Sequence, residues 1–133
     1  AAEVLLKGLE IPLPHGHQFE DKGGDPRTNI RTEWWNLEGV TYRDLAMVPA
    51  EAIEQIPHTP IPEHILPGYD QKKPVFVGHY WLRGTPELMA ERIACLDYSI
   101  GAKGNGNEED CKLVAYRWHG EGVLNPDHLV WVS

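Results

Sequence analysis

Cysteine is nearly absent from this chain of 133 residues: Cys95 and Cys111 stand alone and share no Cys-x-x-Cys spacing. That excludes a disulfide-rich scaffold and a thiolate metal knuckle. Both read as reduced thiols, Cys95 as a small core residue on a strand and Cys111 at the end of a polar loop, with a hairpin pairing between them left open. Basic residues are also in deficit, 12 Lys and Arg against 20 Asp and Glu, giving a formal charge of −8 and a pI near 5.3. No stripe gathers the cations, so a nucleic-acid or membrane-surface footprint is not expected. A phosphorylated small molecule remains compatible where metal ions supply local positive charge. Long apolar runs are missing too. Nothing approaches the ~18 residues of a membrane span and no charged-then-apolar leader is visible, which points to a cytoplasmic protein.

Several functional signatures are lacking as well. Gly101, Gly104 and Gly106 are not followed by a helical pattern, so they make no dinucleotide fingerprint. Glu108, Glu109 and Asp110 lack the alternating oxygen ligands and closing glutamate of an EF-hand and read as a solvated hairpin tip. Ser99, Ser133 and the cysteines have no neighbouring histidine with an orienting acid. His15-Gly16-His17 lies among prolines and glycines and reads as a solvated loop, and His58, His64, His119 and His128 show no spacing that repeats a site.

What is abundant is punctuation, with 11 prolines and 13 glycines. The length allows one domain with a modest core, here 1–133, in two zones. Residues 1–73 form a proline-rich segment of irregular chain and short helices. Ala1 to Gly8 has a short helical pattern that Gly8 would end. Leu9 to Glu33 reads as loop or extended edge, with short strands around Gln18 to Glu20 and Asn29 to Trp35. Thr41 to Met47 predicts a helix capped by Thr41, and Pro49 to Gln55 a second one opened by proline. Pro57, Pro60, Pro62 and Pro67 then make Ile56 to Tyr69 a meandering extended linker.

Residues 74–133 carry the strand signal. Val75 to Tyr80, Arg92 to Ser99, Leu113 to His119 and Leu129 to Val132 are short, rich in β-branched and aromatic residues, and separated by turn-rich spacers. They predict a mainly antiparallel sheet in an α+β domain. Alternation of Ile93, Cys95 and Asp97 with Ala94, Leu96 and Tyr98 predicts one buried face and one mixed face.

One run stands out from this pattern: Lys73-Pro74-Val75-Phe76-Val77-Gly78-His79-Tyr80-Trp81-Leu82, an apolar strand ending in Gly-His with an aromatic pair behind it. It resembles the last metal-ligand motif of the calcineurin-like metallophosphoesterases. The segments Arg92 to Ser99, Lys112 to Glu121 and Leu129 to Val132 look like the closing strands of the bacterial branch near the serine/threonine phosphatases and symmetrical diadenosine tetraphosphatases. Val4 to Pro14 looks like an interior segment of the same enzymes. The family's N-terminal motifs, Gly-Asp-x-His-Gly, Gly-Asp-x-x-Asp-Arg-Gly and Gly-Asn-His-Glu, are absent. Gly24-Asp25-Pro26-Arg27 lacks the second aspartate of one and Gly106-Asn107-Glu108-Glu109 the histidine of another, so both read as turns. The chain therefore looks like the C-terminal portion of a phosphoesterase β-sandwich.

The resemblance implies roles for five residues. His79 would ligate a divalent metal, manganese, iron or zinc, in the full-length parent through a neutral imidazole nitrogen. Asp97 would orient a ligand from behind, or simply satisfy a strand end, since Tyr98-Ser99 replaces the Thr-Gly of relatives. Tyr80, Trp81 and Arg83 would stack on or pair with the leaving group of a substrate, with packing an equal alternative for Trp81. A single imidazole cannot hold a divalent ion usefully, because metal sites need about three or four converging ligands, so no metal bound by this chain alone and no activity of its own are expected. Two classes follow. One is a phosphoesterase fragment whose parent acts on a phosphorylated small molecule or phosphoprotein. The other is an interaction module that buries Trp34, Trp35, Phe76 and Trp81 by repacking, through a homodimer or through the missing N-terminal half.

Overall fold

In a computed structural model, residues 8–36, 38, 40–102 and 110–133 are described. The predicted helix at Ala1 to Gly8 and the Gly106 to Glu109 turn fall outside these residues, apart from Gly8 itself. Tertiary contacts divide the chain into two compact units, one of 9–69 and one that joins Gly8 to 70–133.

In the 9–69 unit, strand β1 (Leu9–Pro12) pairs antiparallel with β4 (Asn29–Thr32), with Leu9 opposite Thr32 and Ile11 opposite Ile30. Between them β2 (Phe19–Glu20) and β3 (Pro26–Arg27) form a small hairpin. Asp21 organises its turn, accepting from the Gly23 and Asp25 N–H groups and from Arg27 Nε at 2.9, 3.0 and 2.8 Å. Asp25 thus belongs to a turn, as the sequence reads. The predicted first helix is real but brief, Tyr42–Leu45, and it opens on a capping box in which Thr41 and Asp44 each bond the other's backbone N–H. The second is a 3-10 helix, Ala50–Gln55.

The expected extended linker at Ile56 to Tyr69 is more structured than its prolines imply. Ile56 and Ile61 join Ile11, Ile30, Tyr42 and Leu45 in the core, and Pro62 precedes a 3-10 turn at Glu63–Ile65. Proline forbids a long helix but not a chain anchored by the Ile61 N–H on the Val40 carbonyl and by Arg43 Nε on the Ile56 carbonyl. Trp34 and Trp35 are 4% and 6% exposed, stacked edge to face at 5.6 Å, with Trp34 likewise against Tyr69 at 5.5 Å. Both tryptophans are thus buried within the 9–69 unit itself.

The 70–133 unit holds two three-stranded sheets, one ordered β5-β7-β6 and the other β10-β9-β8. Strand β5 (Val75–Val77) runs parallel to β7 (Ile93–Cys95), while β6 (Leu88–Ala90), which the sequence pattern missed, is antiparallel to β7. The predicted strand Arg92 to Ser99 is split. At Leu96 the chain leaves β7, and Asp97–Tyr98 (β8) pairs instead with β9 (Lys112–Tyr116). Ile93, Ala94 and Cys95 are all buried rather than alternating, so both faces of β7 are covered. Strand β10 (Leu129–Val132) completes the second sheet, with Leu129 opposite Tyr116. Tyr98, Val114 and Leu129 form its core, with Leu82, Leu88, Leu96 and Tyr116 packed against them. The sheets are mainly antiparallel and the helices few and short, an α+β fold. Cys95 and Cys111 are both buried.

Candidate functional site

Parallel neighbours cannot be joined by a tight turn, so the chain leaving β5 must travel before it returns as β7. The first residues of that crossover are Gly78-His79-Tyr80-Trp81-Leu82-Arg83, the segment singled out by the sequence. Its backbone is unusual. His79 and Trp81 both adopt the left-handed region, at φ 66° and 53°, where a side chain carries a steric penalty that the surroundings must offset.

Those surroundings centre on Asp97 and Ser99. Asp97 Oδ2 accepts the Trp81 N–H at 3.3 Å, its Oδ1 accepts the Ser99 N–H at 3.1 Å, and its carbonyl accepts the Leu82 N–H at 3.1 Å. Ser99, itself at φ 61° and fully buried, donates its hydroxyl to the Leu82 carbonyl at 2.9 Å. Asp97 thus joins the loop's backbone to the β8 strand and acts through the segment beside His79. Tyr80 points inward, 8% exposed, and lies over Gly8 so closely that a β-carbon there would strike its hydroxyl. With Tyr80 as an anchor, His79 and Trp81 emerge on the surface, their rings 5.9 Å apart in an edge arrangement, and Trp81 is 54% exposed. Arg83 is exposed as well and sets its guanidinium 3.7 Å from the buried Cys111 sulfur.

The structure brings His79, Trp81, Asp97 and Arg83 onto one loop and its brace, while Tyr80 is turned inward. His79 offers a single imidazole. Among the described residues no group of three or more His, Cys, Asp and Glu side chains gathers to hold a metal ion. His15 and His17 are both exposed.

A second polar network had no counterpart in the sequence reading. The loop from Arg117 to His128 joins β9 to β10, and Glu121 sits at its centre. Glu121 Oε1 accepts the Tyr116 hydroxyl at 2.6 Å and meets His128 Nδ1 at 3.0 Å, while Oε2 accepts the His119 N–H at 2.7 Å. The Tyr116 hydroxyl in turn accepts the Asn125 N–H at 2.9 Å. Above all the Tyr116 hydrogen bond, and then those from His119 and His128, hold the Glu121 carboxyl down at about 2. Burial and the adjacent carboxylate push the Tyr116 phenol up. His119 and His128 show no suggestive spacing, yet their rings lie 5.0 Å apart. The signal was the pairing register: with Tyr116 opposite Leu129, residues just beyond each strand must face one another.

No family model, no curated protein sequence and no solved structure matches the chain. Among the described residues no helix is long and apolar enough to cross a membrane.

Proposed function

We propose that this chain supplies the His79-bearing portion of a metal-dependent phosphoesterase acting on phosphate esters or anhydrides. The observation that supports it most is the left-handed backbone of His79 and Trp81 just after strand β5, braced by Asp97. Strained non-glycine residues persist where the rest of the structure over-determines them, and they concentrate at sites that bind or react. His79 holds its imidazole outward as one ligand, Trp81 and Arg83 flank it as contacts for an aryl or phosphate group, and Asp97 and Tyr80 fix the loop. A divalent metal pair at such a centre supplies Lewis acidity toward a phosphoryl oxygen and an activated water. The remaining ligands, the aspartates, asparagine and further histidines of the family's other motifs, come from outside this chain, which has no turnover alone.

Manganese titration followed by nuclear magnetic resonance tests the ligand role. Selective, millimolar broadening of the His79 ring resonances, abolished in His79→Ala, is the expected result. Broadening confined to other histidines overturns it. Manganese-dependent hydrolysis of an aryl phosphate by this chain, lost in the same variant, overturns the assignment as an incomplete centre.

A second reading, a non-catalytic association module, is favoured by one specific feature. Leu113 and Val132 are cross-strand partners on β9 and β10, and both are exposed, at 58% and 63%. Such an apolar pair on a sheet whose edge strand is β10 suits a homodimer or the covering half of a larger enzyme.

A further inference from the structure

Beside β5, just before the His79 loop in sequence but with His79 itself not among its lining residues, an open cleft of about 420 Å³ is lined by Lys72, Lys73, Phe76, Trp118, Gly120 and Glu121, among others. All of these belong to the 70–133 unit. Its volume is that of a small-ligand pocket, within the ~300–1,000 Å³ such sites span. The walls are aromatic, and one of them is held in place. The Trp118 indole N–H donates to the Glu121 carbonyl at 3.0 Å, yet the residue stays 58% exposed, so its ring is oriented without being covered. Phe76 packs at 5.2 Å against Tyr116, which the Glu121 network fixes from behind. Gly120, at φ 89°, lines the cleft without a side chain. The rim carries Lys72 and Lys73, adjacent cations in a chain of net charge −8. Among the described residues of the lining Glu121 is the one acid, and its carboxylate oxygens face the Tyr116 hydroxyl, the His119 N–H and His128 Nδ1.

We infer that this cleft binds a small aromatic anion, a planar ring lying against Trp118 and Phe76 with its phosphate, phosphonate or carboxylate group at Lys72 and Lys73. A hydrophobic wall with few convergent charges is the usual composition of a ligand site. Aromatic faces accept any planar ring, and lysine ammonium groups act as point charges toward phosphate oxygens. The site is separate from the proposed metal ligand and needs no metal.

Calorimetric titration in chelator-containing buffer tests it with three probes: phenylphosphonate, inorganic phosphate and indole. Phenylphosphonate is expected to bind at least about tenfold tighter than either single-feature probe, because ring and anion contribute separately. Trp118→Ala and the double change Lys72→Ala with Lys73→Ala are each expected to weaken it by about tenfold or more, whereas His79→Ala leaves it unchanged. The lysine pair is exposed, so that variant keeps the test valid should Trp118→Ala fail to fold. Equal affinity for phenylphosphonate and phosphate, unchanged affinity in the lysine variant, or loss of binding in His79→Ala overturns the inference.

Discussion

At the scale of single residues, the chain concentrates its constraints in a few contacts, and each makes a measurable difference. Gly8 has φ 78° and no room for a β-carbon beneath the Tyr80 hydroxyl. Gly8→Ala is therefore expected to destabilise the protein by about 1–3 kcal/mol in chemical denaturation, through left-handed strain and overpacking together. Thr41 opens the Tyr42–Leu45 helix, and Thr41→Ala is expected to lose about 1 kcal/mol by the same measurement, the usual worth of an N-cap. Glu121 gives a pH signature. Its carboxyl is held at about 2, below its ordinary 4.5, so its contribution to stability is complete above the ordinary value and is lost as pH falls toward about 2. The melting temperature of the wild type should drop through that window, and Glu121→Gln, which has no carboxylate to protonate, should show a flatter profile there.

At the scale of elements, strands were more legible than their partners. Val75 to Val77, Lys112 to Tyr116 and Leu129 to Val132 lie within or beside the predicted runs because β-branched residues between turn signals mark a strand wherever it pairs. The division of Arg92 to Ser99 was not legible, since a strand's change of sheet at Leu96 depends on which neighbours reach it and leaves its composition unaltered. Strand β6 was hidden for a similar reason: Leu88-Met89-Ala90 has weak strand character and is held by pairing with β7, with an irregular register between Leu88 and Ala90. The His79 loop was legible as a segment, because Gly-His after an apolar strand is distinctive. Its left-handed backbone and its attachment to Asp97 were not, since these are tertiary properties. Asp97→Asn keeps one side-chain acceptor and Asp97→Ala keeps none. Because Asp97 uses a different oxygen for each N–H, the alanine variant, which loses both acceptors, is expected to mobilise the Trp81 amide, seen as faster hydrogen exchange at that position, with the global unfolding midpoint changing far less.

At the scale of the whole molecule, an acidic surface coexists with an exposed apolar pair on β9 and β10. On the association reading, the charge would keep copies apart at low ionic strength and Leu113 and Val132 would favour association once that repulsion is screened. Sedimentation velocity should therefore show more self-association as salt rises, and Leu113→Asp should abolish the increase. Persistence of the salt-driven species in that variant would place the contact elsewhere and remove the support for the association reading.

The parallel pairing of β5 and β7 also bears on how the molecule reaches its native state. An antiparallel hairpin can zip from its turn, but Val75 can meet Ile93 only after the whole intervening crossover has been gathered, at a cost in chain entropy that is met before any contact rewards it. The exposed imidazole of His79 is consequently among the last features to be positioned. During refolding, protection of the Trp81 amide by Asp97 should lag behind protection of the locally paired β6 and β7, so that the loop acquires its shape only when the sheet beneath it is complete.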